Sequence, residues 1–189
     1  MAGPGCALLP AMTVVSAERS FDGEALLAEV DARRAHADLS WVQVANALTD
    51  LSAQLRAEIG DHAVCPGALQ RTVARGTMSC QYALMLLQWL DRAPEDFLAC
   101  ASDETAPVPL PDCGPDERLR WDLPQLYDAV DEQRRDKGLT WRALAAELGT
   151  AASRLTNLRH ARQADMELTM RLTQWLGRPA ATFVHPATW

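Results

Sequence analysis

The stretch DLSWVQVANAL (38–48) returns one hundred residues later as GLTWRALAAEL (138–148). Leu39, Trp41, Ala45 and Leu48 recur as Leu139, Trp141, Ala145 and Leu148. A second echo pairs Gln88, Trp89 and Leu90 with Gln174, Trp175 and Leu176, then Arg92 with Arg178 and Phe97 with Phe183, at an offset of eighty-six. Repetition at fixed offsets within 189 residues reads as an internal duplication. The change of offset puts about 14 extra residues into the first copy, within TDLSAQLRAEIGDHAV (49–64).

Working outward, each copy carries the same series of helical signals. In the second, Asp122 is an N-cap for LPQLYDAVDEQRRDK (123–137), with Pro124 in its first turn. Leu123, Leu126, Tyr127, Val130 and Arg134 fall on one face at i, i+3, i+4 spacing. Gly138 supplies a left-handed stop. Thr140 caps a short helix from Trp141 to Glu147, ended by Gly149; ASRLTNLRH (152–160) follows with Leu155 and Leu158 inward. Asp165 caps MELTMRLTQWL (166–176), Gly177 ends it, and Pro179 opens a last turn carrying Phe183. The first copy repeats the order with GEALLAEVDARRAHA (23–37), a helix capped by Ser40, PGALQRTVAR (66–75) closed by Gly76, CQYALMLLQWL (80–90) and APEDFL (93–98). The expected fold is all-α, with two tandem five-helix domains at 21–100 and 118–189. A Pro- and Asp-rich linker (101–117) joins them, and 1–20 is a poorly ordered leader in which Met12 offers an alternative start.

Composition supports a packed core, with 48% hydrophobic and 23% charged residues. No apolar run reaches the roughly 18 residues of a membrane span, and the opening lacks the basic start of a signal peptide. A cytoplasmic location is the default expectation. The five cysteines (6, 65, 80, 100, 113) form no CxxC and have no histidine at zinc spacing. They read as incidental free thiols, with no metal or cofactor expected. The net charge is −7, but it is unevenly spread. Residues 1–114 carry 7 Arg against 15 acids, whereas 115–189 carry 11 basic residues against 10 acids. Five arginines (154, 159, 162, 171, 178) lie close together, and local positive charge is what phosphate contact requires.

LTWRALAAELGTAASRLTNLRHAR (139–162) resembles the helix-turn-helix of the Cro/cI-like (Xre) family, the lambda-repressor fold. The residues that carry the resemblance are Leu139, Thr140, Leu144, Ala145, Leu148, Gly149 and Leu155. It implies sequence-specific double-stranded DNA binding by a repressor-like transcriptional regulator, with the helix from about Ala152 to His160 in the major groove. The family's base-reading positions fall on Ala152, Ser153, Arg154 and Asn157, with Thr156 nearby; Arg pairs with guanine and Asn with adenine. Arg159, His160, Arg162, Thr140 and the start of the second helix, including Trp141, would follow the backbone. In the first copy the corresponding helix offers Gly67, Ala68, Gln70 and Arg71 for reading and Arg75 for phosphate, after Cys65 and Pro66. Glu58 and Asp61 precede it, so this copy either touches DNA or acts as a structural partner.

Three departures from the family pattern carry expectations of their own. Ala151 stands where a Ser or Thr usually caps the recognition helix, leaving Thr150 to substitute. Trp replaces the usual Gln at the start of the second helix in both copies. Arg134 lacks the glutamate it usually meets, since Arg159 and His160 stand there; Asp131 or a backbone carbonyl is the expected acceptor.

Structural readings stand beside the functional ones. Trp41 and Trp141 either stack on DNA or pack across their own domains, while Trp89 and Trp175 read as core, as do Met166 and Met170. Asp31 with Arg34 and Asp131 with Arg134 read as i, i+3 ion pairs. There is no Gly-rich phosphate loop, no HExxH and no nucleophile beside a base, so an enzyme is not expected. Two diverged copies on one chain suit a pseudo-dimer reading an asymmetric site, the linker supplying the effective concentration that dimerisation otherwise would. The alternative is a protein-interaction module on the same scaffold, such as an antitoxin or a regulator's partner, that self-associates or binds a protein through the acidic first copy.

Overall fold

The computed structural model describes residues 20–51, 67, 78–99, 107–114 and 116–188. Seven α-helices are present among the described residues: α1 (Gly23–His36), α2 (Trp41–Asp50), α3 (Cys80–Leu90), α4 (Leu123–Asp136), α5 (Trp141–Glu147), α6 (Ala152–Asn157) and α7 (Met166–Leu176). Short 3-10 turns follow α3 (Pro94–Phe97), α6 (Leu158–His160) and α7 (Ala180–Phe183). The chain is mostly helical, as its alanine and leucine content dictates. Residues 52–64 of the expected insertion and the expected third helix of the first copy lie outside the described residues, apart from Gly67, which is helical and half-buried.

Caps set the helix boundaries. Asp22, Ser40, Ser79, Asp122, Thr140 and Asp165 each accept a bond from the backbone N–H three residues on. At the far ends the same double closure recurs: Gly138 N–H donates to Arg135 O and Leu139 N–H to Arg134 O, and the ends of α5 and α7 repeat the arrangement around Gly149 and Gly177. These glycines have φ of +64°, +61° and +63°. In the first half the residues equivalent to Gly138 and Gly177 are Asp38 (φ +53°) and Asp91 (φ +55°). An aspartate carries a Cβ penalty in this conformation that glycine escapes. Asp38→Gly and Asp91→Gly are each expected to stabilise the chain by up to about 1 kcal/mol, read as a higher urea midpoint at unchanged slope.

The purely α expectation needs one correction. Arg118–Trp121 (β1) pairs antiparallel with Val184–Ala187 (β2), in the register Trp121↔Val184 and Leu119↔Pro186. Leu119 and Trp121 point inward while Arg118 and Arg120 lie between, a period-two alternation directly after the stretch expected to be a linker. The first half holds the start of the same arrangement, a single bridge between Phe21 and Leu98. In each half the turn after the last helix returns to the start of the first: Asp22 N–H donates to Phe97 O at 2.7 Å, and Asp122 N–H to Phe183 O at 2.8 Å.

One buried cluster runs through both halves, from Phe21, Leu26 and Val30 through Leu84 and Leu87 to Leu126, Leu144, Leu172 and Phe183. The halves meet at the N-termini of α3 and α7. Ser79 and Asp165 form an antiparallel bridge, with Cys80 N–H donating to Ala164 O and Met166 N–H to Met78 O, both at 2.8 Å. Each of Met78, Ser79 and Cys80 is the counterpart, eighty-six positions earlier, of Ala164, Asp165 and Met166. Residues that meet their own counterparts are related by a twofold axis, so the junction has local pseudo-twofold symmetry. The next residue inward on each helix also crosses over. Glu167 accepts Phe21 N–H at 2.9 Å, and its counterpart Gln81 donates to Leu119 O at 2.6 Å.

The symmetry breaks at Glu95. Ala180 N–H donates to Glu95 Oε1 at 2.6 Å, whereas the counterpart of Ala180 is Pro94, which has no N–H to offer. Glu95 is 4% exposed, and its Oε2 has no hydrogen-bond partner among the described residues. Burial raises the Glu95 pKa, the Ala180 N–H only partly opposing it. A carboxyl with a raised native pKa holds its proton more tightly folded than unfolded. The contribution of Glu95 to stability is therefore greatest in acid and falls as pH rises through the ordinary carboxylate range towards the raised value. Denaturation of wild type and Glu95→Gln at pH 4 and pH 7 is expected to favour the glutamine variant more at pH 7; an equal difference at both would show that the carboxyl is not desolvated.

Candidate nucleic-acid interface

The second half builds a braced helical corner from α5, the Gly149 turn and α6. Leu144, Ala145, Leu155 and Leu158 are buried, and the small Ala145 leaves room for close approach of the two helices. Thr150 N–H donates to Ala145 O at 2.8 Å, closing α5. Arg171 reaches from α7 to Leu148 O at 2.9 Å while also pairing with Glu167. The corner is thus fixed by backbone bonds and by a charged side chain from outside it. The expected capping role of Thr150 is not found. Ala151 occupies the N-cap of α6 without a side-chain bond, and the Thr150 hydroxyl is buried with no partner among the described residues.

Arg134 takes both acceptors named for it from sequence. Its Nε donates to Asp131 at 3.0 Å and its Nη1 to Leu139 O at 2.6 Å. Arg34 repeats the pattern with Asp31 at 2.7 Å and Leu39 O at 2.8 Å. Bonds from Arg135 and then Arg134 hold the Asp131 carboxyl below the usual carboxylate range. Tyr127 stacks on the Trp141 ring at 5.2 Å, and the Arg134 guanidinium lies over it at 4.7 Å. Trp41 is covered likewise by Arg34 at 5.2 Å. These rings are half-buried packing elements of their own halves.

Along α6 and the turn after it, the sequence-predicted contact residues share the solvent side. Ser153, Arg154, Thr156, Asn157, Arg159, His160 and Arg162 are exposed, while Ala152 is half-buried. Thr140 is exposed, its hydroxyl accepting Ala143 N–H at 3.1 Å. In the first half Gly67 is described, but Ala68, Gln70, Arg71 and Arg75 lie outside the described residues. Two of the clustered arginines are engaged internally. Arg154 forms an ion pair with Asp165, and Arg171 serves the corner. The cationic surface is therefore smaller than the sequence suggests. Arg159, Arg162 and Arg178 are exposed and have no ion pair among the described residues. Arg142, which the sequence reading passed over, joins them on the exposed side of α5; its place directly after the Thr140–Trp141 pair was the available signal.

Trp89 and Trp175 are partly buried rather than core. Arg33 covers Trp89 at 5.0 Å, Lys137 covers Trp175 at 4.6 Å, and the Trp175 indole donates to Glu147 at 3.1 Å. An indole keeps its N–H wet and its face against a cation more readily than a leucine does. Burial raises the pKa of the Cys80 and Cys113 thiols, which leaves them protonated and poor nucleophiles. Among the described residues no group of His, Cys, Asp and Glu side chains could hold a metal ion, and no helix is long and apolar enough to cross a membrane. A groove of about 540 Å³ beside Arg92, Pro109 and Leu110 includes none of the predicted contact residues. Comparison with protein-family models, curated proteins and solved structures returns no match.

Proposed function

We propose that the chain is a sequence-specific double-stranded DNA-binding protein, a transcriptional regulator rather than an enzyme, working in the cytoplasm. On this reading it consists of two tandem five-helix halves of lambda-repressor type, with α6 entering the major groove and the first half as pseudo-dimer partner. One observation carries the reading. A short helix is braced from behind through Leu155 and Leu158, while Ser153, Arg154, Thr156 and Asn157 stand exposed in front of it and Arg159 and Arg162 follow. Hydroxyl, guanidinium and carboxamide groups on a rigid helix are what base edges are read with, and unpaired arginines beside them suit phosphates.

The junction also supports the pseudo-dimer over a module whose first half seeks a separate partner. The N-terminus of α3 and Gln81 already engage the second half. The deciding experiment presents a randomised duplex pool to the purified chain at several salt concentrations. The reading expects an enriched asymmetric motif and affinity that falls steeply with salt. Enrichment of no sequence, together with a protein partner captured through the first half, would favour the interaction module instead.

A further inference from the structure

We propose that Asp165 is a positioning residue for base recognition. It aims the Arg154 guanidinium at a guanine beside the pseudo-twofold axis, on one side of that axis only. The inference rests on the DNA-binding reading above and adds to it a base, a position and an asymmetry.

Arg154 is the exposed guanidinium of α6, and it donates through Nη2 to Asp165 Oδ2. The other carboxylate oxygen, Oδ1, accepts Leu168 N–H at 2.8 Å as the cap of α7. The carboxylate is therefore fixed by the helix it caps before it meets the arginine. With Arg154 half-exposed, such a pair adds little to stability. Its effect is directional. A guanidinium is a planar fork of five donors, and a carboxylate holding one of them leaves the others facing a set direction, which bidentate pairing with guanine O6 and N7 requires.

The location follows from the junction. Asp165 is bridged to Ser79, its own counterpart, so it lies next to the local axis. Arg154 is the α6 side chain tied to that residue, whereas Asn157 lies three residues farther along the helix. A duplex centred on the axis would offer Arg154 the base pairs nearest its centre. The counterparts of Arg154 and Asp165 are Ala68 and Ser79. A methyl group and a hydroxyl cannot reproduce the pair, so the mirror position carries no guanine preference from this device.

The test is pooled duplex selection with the full chain and three variants. Arg154→Ala is expected to reduce preference for one off-centre guanine on the order of ten-fold or more while leaving other positions intact. Asp165→Ser keeps a cap, as Ser79 does for Tyr82 N–H at 3.2 Å, but its side chain is too short to hold Arg154. It is expected to blur the same position several-fold, at near-unchanged melting temperature. Asp165→Asn keeps both cap and length, loses the charge, and should fall between. The proposal is overturned if Arg154→Ala leaves a wild-type motif unchanged, or if the guanine appears symmetrically on both sides. Sharpened guanine preference in the Asp165 variants would also overturn it, since the pair would then be holding Arg154 away from the base. If wild type enriches no sequence at all, the DNA-binding reading fails, and this inference with it.

Discussion

Replacing Phe183 with alanine is expected to cost about 3–5 kcal/mol of folding stability. The ring is 1% exposed, and it stands where the chain returns to the start of the second half. Its carbonyl accepts Asp122 N–H at 2.8 Å, and the next residue, Val184, pairs with Trp121. Removing so buried a ring, from the turn that bonds to the cap residue of α4 and leads into β2, opens a cavity in the core. Set against the roughly 5–15 kcal/mol that holds a typical domain folded, the loss is large enough to appear as a much lower urea midpoint. The counterpart Phe97 provides a control. It is 4% exposed, with Phe21 at 6.4 Å and the Arg92 guanidinium over its ring. Phe97→Ala should be costly as well. A loss below about 1 kcal/mol for Phe183→Ala would show that the returning segment is not packed as described.

The second large effect is on binding. Changing Arg159 and Arg162 together to alanine is expected to weaken every duplex alike and leave the selected motif unchanged. Both side chains are exposed beyond the C-terminal end of α6 and have no ion pair among the described residues. If each neutralises one phosphate, the double variant lowers the slope of log affinity against log salt by about two. Titration at four or five salt concentrations reads this directly. A variant with the wild-type slope would place the phosphate contacts elsewhere. A changed motif would mean that one of these arginines reads a base.

Much of the architecture is legible in the residues themselves because the helices are punctuated locally. Asp122, Thr140 and Asp165 announce the starts of helices, Gly138, Gly149 and Gly177 announce the stops, and a cap needs only its own neighbours to form. The acceptors of Arg134 were legible for the same reason, since Asp131 lies one helical turn away and Leu139 just past the helix end. The two strands were not. Four residues give only two alternations, and Pro186 within β2 argues against a strand unless it lies at an edge. The junction was hidden because Ser79 and Asp165 lie eighty-six residues apart and neither is apolar. The pairing of Arg154 was hidden by the same non-locality, so the candidate surface read as more cationic than it is. Trp89 and Trp175 looked like core residues because helical spacing cannot distinguish a buried ring from one covered by a cation.

The bridge in which Ser79 meets Asp165 bears on how the protein responds to its own abundance. Two separate chains joined by such a contact fall apart on dilution, and their occupancy of a common target then rises with the square of concentration. Here both sides of the contact belong to one polypeptide, so dilution cannot separate them; on the proposed pseudo-dimer reading, a single chain would engage its target in proportion to the first power of concentration. On that same reading the response to abundance would be graded, where a dissociating pair would give a threshold.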